Sequence, residues 1–256
     1  MAIYSQPTRI LMKEMANDLA RSAKDTFSKQ QALAWFAEHY PKIKTGTVTA
    51  HLIRMSTNSQ SRTHHNVIPG DDDLFFQVGR GSYRLYRREV DPEPIYAGTG
   101  PTNISSQLEG DDEFEDASSS QSTGEFAYEA DLKNYLAKNL YQLEPGLRLY
   151  EEEGVTGIEF PAGGRFIDIL ALDSKNNFVV IELKVSKGYD RVIGQLMRYM
   201  AWIKENLADS DQGVRGAIVA RSISEDLKLA SSLGPSIDMY EYELSIQLRK
   251  VSRDCT

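Results

Sequence analysis

Between Asp91 and Ser122 the chain reads DPEPIYAGTGPTNISSQLEGDDEFEDASSSQS. This stretch has three prolines, runs of serine and acid, and few large apolar side chains. It cannot bury enough surface to offset the entropy of ordering it, so it predicts a linker. The remaining apolar residues must then make their cores on either side of it. The division expected is a head over residues 1–90, a flexible acidic linker over 91–124 and a body over 125–256. As a linker the stretch is a spacer; as an acidic run it would also suit a DNA mimic that occupies a basic site when DNA is absent.

Charge follows the same division. The head holds 13 Lys and Arg against 8 Asp and Glu. Residues 91–128 hold none against 9, and residues 129–256 hold 16 against 20. The formal net charge of −8 therefore hides a basic head. An electrostatic footprint for nucleic acid is local, so an acidic whole does not exclude it. Cys255 is the single cysteine, which excludes an internal disulfide framework and a cysteine-based zinc site. No apolar run approaches the ~18 residues that span a bilayer, and the start, MAIYSQPTRI, lacks the pattern of a secretory leader. The expected setting is cytoplasmic.

The head predicts three helices and a hairpin. Ile10, Leu11, Ala16 and Leu19 recur at helical spacing in the first. Ser28 and Gln31 form a capping-box pattern before the second, which Pro41 ends near Tyr40. The third runs through GTVTAHLIRMST, with Val48, Leu52 and Met55 on its apolar face. Thr47, Thr49, His51, Arg54 and Asn58 occupy the other face. LFFQV and SYRLYR then pair around Gly79-Arg80-Gly81. Three helices and a two-stranded wing are the winged helix-turn-helix order, whose third helix lies in the major groove. On that reading the five polar residues of the third helix read DNA, and Arg80 and Arg84 reach phosphate or the minor groove. A small helical module that docks on protein is the other reading. His64 and His65 are expected in a polar loop, and Asp71 to Asp73 in a charged one.

The body reads α-β-β-β-α-β-α-β. Its middle hairpin, GRFIDILALD then FVVIELKV, carries acids where a core strand should be aliphatic. A turn centred on Lys175 puts Asp168 opposite Glu182, where Cβ atoms come within ~4.5–5.5 Å. Like charges that close raise each other's pKa, and a divalent cation with oxygen ligands removes the conflict. Alternation places Val180, Glu182 and Lys184 on one face and Val179, Ile181, Leu183 and Val185 on the other. A buried Glu-x-Lys in such a strand is expensive unless it is paired or metal-bound.

Asp168 followed by Glu182-Leu183-Lys184 resembles the PD-(D/E)xK nuclease superfamily. GRFIDILALD, FVVIELKVSKG and GQLMRYMAWIKENLA look more narrowly like the catalytic domain of the NucS/EndoMS endonucleases, over about residues 125–250. Gln195 and Tyr199 match the Gln-x-x-x-Tyr element of RecB-like members, and Glu129 matches the place of an acid on the first helix. Ile167 stands where the family name has proline. The head does not resemble the NucS N-terminal domain, so mismatch specificity is not carried over.

The resemblance implies an α/β (α+β) restriction-endonuclease-like core, a mixed sheet flanked by helices; the element order of the head adds a separate small winged-helix domain. It implies that Asp168, Glu182 and the Leu183 carbonyl hold Mg²⁺, with Mn²⁺ able to substitute. Lys184 would orient water and stabilise charge, Gln195 would position the metal water or a phosphate, and Glu129 and Tyr199 would complete the catalytic set. Arg165, Lys187, Arg191 and Arg198 would contact phosphate. The expected protein is a Mg²⁺-dependent endonuclease of restriction type, acting on double-stranded DNA as a homodimer. Repair cleavage of mismatched or branched DNA is the alternative. A DNA-binding regulator on an inactive nuclease scaffold is the second.

Overall fold

The computed structural model describes residues 4–20, 22, 25–97, 123–184, 192–232 and 236–243, with side chains of the 123–138 helix from Glu129 onward. Residues 98–122 of the expected linker lie outside the described residues, as do Lys187 and Arg191, while its start is held against the N-terminal part by Asp91 on Arg84 and Ile95 N on the Thr57 carbonyl. No helix among the described residues is long and apolar enough to cross a membrane.

The N-terminal part runs α1 (Thr8–Leu19), β1 (Thr26–Ser28), α2 (Lys29–His39), α3 (Thr45–Arg54), a 3-10 turn (Gln60–His64), β2 (Phe75–Gly79) and β3 (Ser82–Leu85). Helix α2 starts on the expected capping box: Gln31 N donates to Ser28 Oγ at 3.1 Å and Ser28 N to Gln31 Oε1 at 2.8 Å. The hairpin β2–β3 gains a third strand, because Thr26–Ser28 pairs antiparallel with β3. Leu11, Met15, Phe27, Phe36, Leu52 and Phe75 fill the core between helices and sheet.

The C-terminal part builds one six-stranded mixed sheet in the order β11-β10-β9-β8-β4, with β7 also paired to β8. Its strands are β4 (Arg148–Leu149), β7 (Ile158–Ala162), β8 (Arg165–Leu172), β9 (Phe178–Lys184), β10 (Val214–Ala220) and β11 (Ile237–Glu241). Two further short strands, β5 (Glu151–Glu152) and β6 (Val155–Thr156), pair with each other. Strands β9, β10 and β11 run parallel, while β8 is antiparallel to β9.

The β8–β9 register is the one a turn centred on Lys175 dictates, with Ile169 facing Ile181 and Leu172 facing Phe178. Alternation is also as expected. Val180, Leu170 and Leu172 pack towards α5 (Val192–Asn206) with Leu196, Tyr199 and Ile203. Val179, Ile181 and Leu183 pack towards α4 (Thr123–Lys138) with Leu132 and Leu136. Helix α5 lies close on β10 because Gly216 has no side chain; a Cβ there would stand 2.7 Å from Leu196 Cδ2 and 2.9 Å from Met200 Sδ.

The N-terminal part does not stand apart as expected. Every residue of α3 from Gly46 to Arg54 is buried. Val48 and Leu52 face the N-terminal core, whereas Ala50 belongs to the C-terminal core with Tyr150, Phe160 and Leu207. Small residues one turn apart permit this second contact; a Cβ on Gly46 would lie 3.0 Å from the Asn206 carbonyl oxygen. Hydrogen bonds cross the junction from Thr8 N to Glu153 Oε2 (2.6 Å), Thr45 Oγ1 to Asn206 Oδ1 (2.8 Å), Asn66 N to the Gly154 carbonyl (2.9 Å) and Thr156 Oγ1 to the His64 carbonyl (2.6 Å).

Candidate active site

Main-chain pairing of β8 and β9 is recorded as far as Ile169 and Ile181. At the next position the Asp168 side chain takes over, its Oδ2 accepting from Leu183 N at 2.8 Å. Glu182 projects from β9 on the α5 side, and its Oε1 accepts from Lys184 Nζ at 2.9 Å and from Gln195 Nε2 at 2.7 Å. Glu182 is 2% exposed, and its Oε2 is buried with no hydrogen-bond partner. Gln195 Nε2 also lies 3.4 Å from the hydroxyl of buried Tyr199. Helix α5 thus presents Gln195 and Tyr199, one turn apart, to the acid.

The electrostatics match a site that lacks a charge. Burial, then the Asp168 charge, pushes the Glu182 carboxyl up to about 7. Burial also raises Asp168, against the Leu183 amide and the charges of Lys133 and Lys184. Half-buried Glu129 on α4 is raised by burial and then by Asp168, which places it in the same field. Burial alone would lower Lys184, but Glu182 and Asp168 outweigh it and its pKa rises. A half-buried and a fully buried carboxylate, the second with an orphaned oxygen, fit a divalent cation with hard oxygen ligands. Among the described residues no three His, Cys, Asp or Glu side chains form a metal cluster, so such an ion would draw on Asp168, Glu182, the Leu183 carbonyl and water.

Sequence reasoning missed the next layer. Lys133, one turn beyond Glu129 on α4, donates to Glu159 Oε1 at 2.7 Å. Ser61 Oγ donates to Glu159 Oε2 at 3.0 Å, and His64 Nε2 lies 3.4 Å from Oε1. The i, i+4 spacing from Glu129 is the signal for Lys133. Glu159 gave no such signal.

The DNA-reading face expected on α3 is not exposed. Thr47, Thr49, His51 and Arg54 are all buried. Thr49 Oγ1 donates to the Thr45 carbonyl at 2.8 Å, and His51 Nδ1 lies 3.0 Å from the Thr47 carbonyl. Burial drops His51 to about 4, leaving it neutral. Arg54 pairs with Asp72 Oδ2 at 2.7 Å and donates to the carbonyls of Asn66 (2.9 Å) and Glu153. Asn58 exchanges two hydrogen bonds with the Gln77 main chain, both 2.9 Å. Along α3 the C-terminal half occupies the face where a groove would lie, with Glu152 beside Thr47 and Glu153 beside His51 and Arg54, whereas Asn58 is held by β2. Asp72 is likewise interior and not part of a solvated loop, and His65 is buried with Nδ1 accepting from Thr156 N at 3.2 Å. Arg84 is buried and held by Asp91. Arg80, Arg165 and Arg198 are exposed. Arg80 Nη2 lies 3.5 Å from where a Cβ on Gly164 would stand, so the β2–β3 tip meets the β7–β8 turn beside Arg165.

Two family models match separate segments of the chain. Residues 128–235 match the endonuclease NucS C-terminal domain. Residues 7–85 match a domain of unknown function (DUF7669). Endonuclease NucS of Pyrococcus abyssi is 32% identical over 101 residues, 39% of this chain and 36% of that protein. Endonuclease NucS 2 of Halobacterium salinarum is 34% identical over 110 residues, 43% of this chain and 40% of that protein. The matches thus span less than half of either relative. Among solved structures, a repair endonuclease from Pyrococcus abyssi aligns over 49% of both chains at 25% identity and a TM-score of 0.37. An EndoMS–dsDNA complex aligns over 51% of this chain and 50% of its own at 27% identity and the same TM-score.

Proposed function

We propose that this chain is a divalent-cation-dependent DNA endonuclease that hydrolyses phosphodiester bonds. The observation that carries the reading is half-buried Asp168 beside buried Glu182, with Lys184 and Gln195 on Glu182, inside the segment that matches the NucS C-terminal domain. Asp168, Glu182 and the Leu183 carbonyl would hold Mg²⁺ or Mn²⁺. Such an ion polarises the phosphate and acidifies water. Gln195 and Lys184 fix Glu182 through one oxygen and leave Oε2 available. Lys184 stays protonated and stabilises the negative charge that gathers on the phosphate as water adds to phosphorus and a P–O bond breaks. Arg80, Arg165 and Arg198 are the exposed cations that would hold the DNA backbone, in place of α3. One such site cuts one strand, so cleavage of both strands calls for a homodimer.

The relatives are NucS endonucleases, which favours repair cleavage of mismatched or branched DNA over restriction. A regulator on an inactive scaffold is disfavoured because the acidic pair, lysine and glutamine are all present and in contact. The test is cleavage of intact, mismatched and branched duplexes with Mg²⁺ or Mn²⁺. Cutting should fall by about 10³-fold or more in Glu182→Ala while DNA binding persists. Tight DNA binding with no cutting of any substrate would install the regulator reading.

A further inference from the structure

Glu159, within β7, is one of three non-glycine residues among the described residues in the left-handed region, with φ 47°; the others are Glu153 (46°) and Asn176 (63°). Such a conformation persists where the surroundings fix it, and it clusters at functional sites. The β7–β8 register, Ile158 opposite Ile169 and Phe160 opposite Ile167, puts Glu159 across from Asp168. The ribbon turns over at this pair: Ile158 and Ile169 pack on the α4 side, Phe160 and Ile167 on the α5 side. Glu159 holds Lys133 Nζ at 2.7 Å, and the N-terminal part holds Glu159 through Ser61 and His64. Lys133, held on the residue across from Asp168, thus stands beside that carboxylate, on which its positive charge acts.

A lysine stem is flexible, and an ammonium on Asp168 would exclude a metal ion from that carboxylate. We propose that Glu159 is a positioning residue that keeps Lys133 off Asp168, so that Asp168 remains open to a divalent cation. The N-terminal part then helps to assemble the catalytic centre through Ser61 and His64. The inference rests on the cation-dependent reading above.

The test is Mn²⁺ binding to the full chain without DNA, followed by calorimetry or electron spin resonance, with melting curves as a control. Wild type should bind at a site lost in Asp168→Ala. Glu159→Gln should bind about tenfold more weakly, as is usual when a group supporting a metal ligand is removed. Adding Lys133→Met should restore binding to the wild-type level or better, a rescue that a purely structural role would not produce. If Glu159→Gln does not fold, Ser61→Ala with His64→Ala, with and without Lys133→Met, asks the same question. Wild-type affinity in folded Glu159→Gln, or no rescue by Lys133→Met, overturns the inference alone. No Asp168-dependent Mn²⁺ binding in wild type overturns the cation-dependent reading, and this inference with it.

Discussion

Helix α3 and strand β9 both carry charged side chains into the interior, and the outcomes differ. On α3, Arg54 meets an opposite charge, Asp72, and donates to two carbonyls, while its Nε and Asp72 Oδ1 have no partner. On β9, Glu182 meets a like charge, Asp168, and keeps one oxygen unpartnered. The first arrangement is matched in charge and joins the two parts of the molecule. The second is open and holds its carboxyl far above the usual range. Matched buried charge marks a joint, and unmatched buried charge marks a place where something must bind.

The largest expected effect on this contrast comes from Arg54→Ala. It strands Asp72 and should cost about 3–5 kcal/mol of stability, measured by denaturant unfolding. Normal stability with lost DNA affinity would instead return Arg54 to a reading role. On the other side, Glu182→Gln should stabilise the protein in chelator at pH 8, by roughly 3 kcal/mol at most. The sign follows from the raised value. Below the ordinary 4.5 both states hold the proton, and the folded protein has no penalty. As pH rises from 4.5 to about 7 the unfolded chain ionises first, so stability falls, and the loss is complete above 7. The gain from glutamine should therefore vanish at pH 4; a gain equal at both pH values would deny that Glu182 is held protonated.

Gly154→Ala sharpens the joint more gently. Gly154 has φ +84°, and the Arg54 guanidinium carbon would lie 2.8 Å from an added Cβ. A melting curve should show a loss of about 1–3 kcal/mol. The smallest effect belongs to the surface. Arg80→Ala should weaken DNA binding about equally across sequences and lower the salt slope by roughly one. An unchanged slope would remove the β2–β3 tip from the DNA contacts.

Much of the C-terminal half was legible because its signals are local. Period-two alternation and a short turn set which residue faces which, and this sufficed to put Asp168 and Glu182 side by side. The capping box of α2 was legible for the same reason, since Ser28 and Gln31 bond to each other's main chain. Gln195 and Tyr199 share a helix face, so the family pattern placed them together before the structure did. Lys133, Glu159, Ser61 and His64 come from three distant segments, and only the packing of the two parts unites them.

What the sequence by itself determined was the acidic hairpin, its register and its two apolar faces, because each depends on neighbours within one turn or one strand pair. What the tertiary structure decided was the fate of α3. A polar helix face satisfies its hydrogen bonds equally well against water, DNA or another part of the same chain. Gly46 and Ala50 let the second half approach closely, and that contact, absent from any local pattern, turned an expected reading surface into an interior joint.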